Sequence, residues 1–152
     1  MWIDARGSRV LERPECLRLL ALGASRGEGV GRVGFALDGV PIILPVNYGM
    51  LDGDVVVRTG EGLKLLSAVE RAIVAFEVDT LDVEHGVAWS VLVRGLCLEI
   101  TDAAEVAAAR RATPAPLVAE PGDRFLRIRT GVLTGRRFPL IPGEHAPVPS
   151  PA

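Results

Sequence analysis

Aromatic residues make up only 5% of this 152-residue chain, and lysine occurs once, at Lys64. A chain so poor in rings offers little base-stacking surface. With 17 basic against 19 acidic residues and a formal charge of −2, it also lacks the basic face that a polyanion requires, so nucleic acid is excluded as a partner. No uninterrupted apolar stretch approaches the roughly 18 residues that span a bilayer, and Met1-Trp2-Ile3-Asp4-Ala5-Arg6 has no apolar signal core. The expectation is a cytoplasmic protein with no membrane partner. Cys16 and Cys97 have no metal-ligand spacing and read as small buried hydrophobes, so no disulfide is expected. The two histidines, His85 and His145, have no companion carboxylate or cysteine at metal-ligand spacing. They read as solvent-exposed, and no metal site is expected.

What is present is a β-rich pattern with 49% hydrophobic residues, enough for one core and one domain. Pro14 suits the first turn of a helix whose stripe of Cys16, Leu17, Leu20 and Ala21 ends near Gly23, and which plugs one end of the fold. Strands follow over 32–37, 40–50 and 54–58. Asp38-Gly39 and Asp52-Gly53 between them predict tight hairpins, hence an antiparallel meander. Pro41 and Pro45 predict a kinked or partly unpaired middle strand. A fourth strand spans 71–78. The fifth, 89–100, is apolar on both faces and therefore covered twice, the second time by another subunit. Thr101 and Asp102 cap a helix over 103–111, and 124–138 reads as a strand pair or one long bent strand. The single domain is expected to cover 1–138, with a proline-rich, disordered tail over 139–152. The fold class is mainly β with short helices, a small antiparallel barrel with helices at its ends.

Arg58-Thr59-Gly60-Glu61-Gly62-Leu63-Lys64 lies between a strand and a helix-like run. A glycine-flanked turn opening onto a helix leaves backbone N–H groups unpaired at the positive end of its dipole, which makes this segment a candidate phosphate cradle with Arg58 and Lys64 as cations. No conventional catalytic constellation accompanies it. Ser90 sits within a strand, without elbow glycines or an evident base, and fits a structural or ligand-binding role better than a nucleophile. No catalytic residue is assigned, and any redox reactivity would come from a cofactor.

In order along the chain, Gly31-Arg32-Val33-Gly34-Phe35, Asp38-Gly39, Pro41, Pro45-Val46-Asn47-Tyr48, Asp52-Gly53, Arg58-Thr59, Gly62, Lys64-Leu65, Ala75-Phe76-Glu77-Val78-Asp79 and Trp89-Ser90-Val91 resemble the pyridoxamine 5'-phosphate oxidase-like flavin-binding split barrels. The likeness runs over about 15–138 and points to the small bacterial members grouped with nitroimidazole-resistance reductases. The resemblance implies an FMN-binding split barrel and a homodimer with two flavin mononucleotides at its interface. It assigns Arg58 and Lys64 to the flavin phosphate, helped by Thr59 and the backbone at Leu65. Pro45, Val46, Asn47 and Tyr48 would line the isoalloxazine ring, chiefly through backbone groups. Trp89, Ser90 and Val91 would approach from the fifth strand across the dimer, and Arg137 would reach phosphate or substrate. It implies an oxidoreductase working between a reduced nicotinamide and a small-molecule acceptor. A deazaflavin-dependent reductase and a non-catalytic flavin or haem carrier stand as alternatives.

Overall fold

The computed structural model describes residues 7–25, 29–59, 69–115 and 124–141. In chain order the elements are β1 (Arg9–Leu11), α1 (Arg13–Ser25), β2 (Val30–Leu37), β3 (Val40–Leu51), β4 (Asp54–Thr59), β5 (Ile73–Asp82), β6 (Val87–Glu99), α2 (Ala103–Ala112), β7 (Arg124–Ile128) and β8 (Val132–Pro139). No helix among the described residues is long and apolar enough to cross a membrane.

β2, β3 and β4 form the expected meander. Both hairpins turn on two residues of positive φ, 50° and 79° at Asp38-Gly39 and 51° and 79° at Asp52-Gly53, the conformation whose twist matches that of the flanking strands. The succession β6-β5-β2-β3-β4-β7 closes back onto β6, giving an antiparallel barrel of six strands, while β8 and then β1 continue outward from β6. β6 therefore serves three neighbours. It pairs with β5 from Ile73↔Leu96 to Asp82↔Val87, with β8 over Val87 to Arg94, and with β7 over Cys97 to Glu99. At the switch between β8 and β7 sits Gly95, where a Cβ would collide with the Arg129 carbonyl, so only bare backbone lets the two chains pass. This is the split barrel expected from the sequence.

Strand alternation sorts the side chains. Val33, Tyr48, Val55, Val57, Val74, Phe76, Val78, Trp89, Val91 and Val93 fill the barrel, joined at one end by Cys16, Leu19 and Leu20 of α1. The plug seats closely, since a Cβ on Gly23 of α1 would collide with the Tyr48 hydroxyl and crowd Val78. α2 lies outside β4 and β7 over a second cluster of Val56, Ile100, Ala109 and Phe125. Asp102 starts it, its carboxylate accepting the Ala104 and Glu105 N–H groups at 3.1 and 3.0 Å.

Three expectations are refined. The stretch from 124 onward is two strands, and the connecting Thr130 is pinned to the β3–β4 turn: its N–H donates to Asp54 Oδ1 at 3.1 Å and its hydroxyl to the Gly53 carbonyl at 2.8 Å. β1 was not anticipated. The β8 ladder extends to Pro139, opposite Val87, and the Leu140 N–H donates to the Gly86 carbonyl at 2.8 Å, past the boundary assigned from the sequence. Lys64, Leu65 and the tail from residue 142 lie outside the described residues.

Candidate functional site

β3 pairs with β2 along its whole first part, including Ala36↔Pro41 and Arg32↔Pro45, and with β4 only over Tyr48 to Leu51. The edge of residues 40–47 that faces away from β2 is thus left open by the described strands. The Tyr48 N–H donates to the Gly29 carbonyl at 2.7 Å, so alternation turns the N–H groups of Ile42, Leu44 and Val46 toward β2 and those of Ile43 and Asn47 toward the open edge. Pro41 and Pro45 fall on the open edge, where a missing donor breaks no ladder. The partly unpaired strand expected from its prolines is therefore unpaired on one side.

The β3–β4 ladder ends at Tyr48↔Val57, and the next residues on the outward face are Asn47 and Arg58. Arg58 stands opposite Phe125 of β7 in the register. Its guanidinium carbon lies 5.7 Å from the centroid of that fully buried ring, and Nη1 donates to the Pro114 carbonyl at 3.1 Å. Arg110, from the last turn of α2, reaches the same ring at 5.9 Å. Such a cation over a ring face contributes about 0.5–1 kcal/mol at exposed sites. Thr59 is buried on the barrel side of β4. Neighbouring Arg124 is committed to Glu99 through two bonds of 2.7 and 2.8 Å. Pro45, Asn47 and Arg58 therefore share the outer face at the end of the β3–β4 ladder, with the Arg58 guanidinium lying on the β7 side, whereas the side chains of Val46 and Thr59 face the barrel.

The remaining candidates form a second group. Pro45, Arg32, Glu77 and Leu92 lie in one cross-strand row, so β2 and β5 separate the β3 edge from β6 by three interstrand spacings, about 14 Å along the curved sheet. Tyr48, Trp89 and Val91 point into the barrel. Tyr48 donates to the Leu20 carbonyl at 2.8 Å and meets Phe76 edge-on at 5.0 Å. Of the fifth-strand trio, Ser90 alone has its side chain on the outer face. Arg137 stands beside Trp89 on the opposite face, paired with Arg9, whereas Arg136 shares the outer face with Ser90 and donates to the Ser8 hydroxyl at 2.9 Å.

The outer face of the sheet between the two groups is apolar in bands. One row runs Ile43, Gly34, Ala75, Arg94 and Val132, and both Ile43 and nearby Ile73 are 70% exposed. The next carries Arg32, whose Nη1 lies 3.2 Å from both Glu77 and Asp79. Burial, and then the Asp79 charge, raise the Glu77 pKa despite Arg32. On β6, Leu92, Leu96 and Leu98 of the outer face are half-buried, so the side expected to be covered twice is covered in part within one chain.

His85 reads from its spacing as a solvent-exposed residue with no companion at metal-ligand spacing. It is exposed as expected, but its Nδ1 lies 3.0 Å from both Asp82 carboxylate oxygens, and its backbone N–H donates to Asp82 Oδ1 at 3.0 Å. That is a side-chain clamp on the β5–β6 turn. No group of three metal-ligating side chains occurs among the described residues. Phe125 and Arg110, which sequence reasoning did not single out, come to Arg58 through the β4–β7 pairing and the packing of α2 over it, which no local pattern announces.

The family model described as pyridoxamine 5'-phosphate oxidase matches residues 12–137. The chain belongs to this family. An uncharacterized Mycobacterium tuberculosis protein is 36% identical over 140 residues, covering 89% of this chain and 88% of that relative. Among solved structures, a FAD binding protein from Mycobacterium smegmatis is 36% identical with a TM-score of 0.71, covering 86% of this chain and 99% of that one. A putative pyridoxamine 5'-phosphate oxidase from Corynebacterium glutamicum is 27% identical with a TM-score of 0.74, covering 92% and 99%. The pyridoxamine 5'-phosphate oxidase-like chain thus has flavin-binding proteins among its relatives by both sequence and shape.

Proposed function

We propose that two copies of this chain form a flavoprotein oxidoreductase that holds flavin mononucleotide at their seam and moves hydride or electrons between a reduced nicotinamide and a small acceptor. The carrying observation is the open β3 edge, toward which the Asn47 N–H points and which ends beside Arg58 of β4, whose guanidinium lies on the outer face. The residues fit such a ligand. Asn47 would donate to the polar rim of the isoalloxazine, and Pro45 leaves that edge without a competing donor. Arg58 would take the phosphate, with Thr59, Lys64 and the Leu65 backbone assigned from the sequence motif. The flavin supplies the redox chemistry, and the chain holds it, orients it and excludes water.

The second copy belongs to the proposal because the outer sheet face exposes Ile43, Ile73 and Val132 between the two groups of candidates. A copy laid there would bring its own Ser90 and Arg136 toward the cradle, and Arg136 shares Ser90's face as Arg137 does not. Likeness to the Mycobacterium smegmatis FAD binding protein favours a second form of the reading, in which FAD occupies the same cradle.

Stopped-flow mixing of flavin-loaded protein with reduced nicotinamide tests the enzymatic part. The flavin should bleach well above the rate of free flavin. Bound flavin that stays oxidised would make the protein a carrier.

A further inference from the structure

We propose that Arg110 is a second phosphate-binding residue of the flavin site, so that the cofactor's phosphorylated end is held between β4 and the end of α2. The inference rests on the flavin reading above and extends it to a residue outside the matched motif. Phe125 is the organising group. Its ring is fully buried under α2, and the guanidinium carbons of Arg58 and Arg110 lie 5.7 and 5.9 Å from its centroid. One cation comes from the strand that carries the cradle motif and the other from the last turn of a helix packed across it.

This arrangement suits a phosphate ester. A guanidinium resting on a ring is held through its face, while its N–H donors lie in its plane, where they can engage phosphate oxygens two at a time. The carbonyl end of α2 favours cations, which lowers the cost of holding two guanidiniums near one ring. Arg58 uses Nη1 on the Pro114 carbonyl just beyond α2, so the strand residue is tethered to the helix end that presents Arg110.

Quenching titrations of the full chain with riboflavin, FMN and FAD test the assignment, because the three ligands share a ring system and differ in their phosphates. Arg110→Ala should weaken FMN, FAD or both about tenfold to a hundredfold and leave riboflavin affinity unchanged. A loss confined to FAD would assign Arg110 to the second phosphate; a loss for both would assign it to the one they share. Arg110→Gln, which keeps most of the side chain's packing, should repeat the result, and Arg111→Ala on the same helix turn should match wild type. Unchanged FMN and FAD affinities in Arg110→Ala, with Arg58→Ala weakening both, would overturn this inference and leave the flavin reading standing. An equal loss for all three ligands would show that Arg110 only supports the fold. Wild-type protein that binds none of the three would remove the flavin reading and this inference together.

Discussion

Tyr48 shows how a side chain inside a stretch expected to line a ligand can belong to the core. Its neighbours Pro45 and Asn47 face outward, but the ring is fully buried and its hydroxyl donates to the Leu20 carbonyl at 2.8 Å, tying β3 to the plugging helix. Tyr48→Phe would leave that carbonyl without its donor and should cost about 1–2 kcal/mol in urea unfolding. The stretch and its prolines were legible in the sequence, but which of its side chains face the barrel and which face outward was not, because that depends on strand parity. Burial also fixes protonation. It is the main cause that pushes the Cys97 thiol up to about 12 from an ordinary 9.0, with the Glu70 charge adding to it, and it drives the Tyr48 phenol upward too. In both cases the folded state favours the neutral form, while the unfolded chain ionises near the ordinary value. Stability from these groups is therefore complete below about pH 9 and declines as pH rises from there through about 12. Urea midpoints measured across this range should fall, and Cys97→Ala should flatten part of the slope.

At the scale of elements, the parts encoded locally were the legible ones. Two Asp-Gly turns specified the β2–β3–β4 meander, and Asp102 with an alanine-rich run specified α2. Asp102→Ala removes the acceptor for two N–H groups and should cost about 1 kcal/mol, read as a lowered unfolding midpoint. Elements defined by distant partners were not legible. β1 is three residues long and exists by pairing with β8, and the division of β7 from β8 follows from Thr130 being pinned to the β3–β4 turn. β6 read correctly as a strand apolar on both faces, but its switch from β8 to β7 at Gly95 needed the structure, since a lone glycine does not name the chain that crosses it.

For the whole molecule, the barrel sets the two groups of candidate residues apart. The open β3 edge with Arg58 and the outer face of β6 with Ser90 lie on opposite sides of β2 and β5, and the surface between them is banded with exposed apolar residues. A face of this kind is stabilised by being covered, and under the proposed function a second copy would cover it with the same bands while bringing the two groups of candidates together. The flavin and the dimer are therefore coupled in this account. Sedimentation of the purified chain incubated with FMN, followed at a wavelength only the flavin absorbs, tests that coupling directly. Flavin should sediment with a species of twice the chain mass, at one flavin per chain. Flavin remaining free, or travelling with a species of single-chain mass, would contradict it.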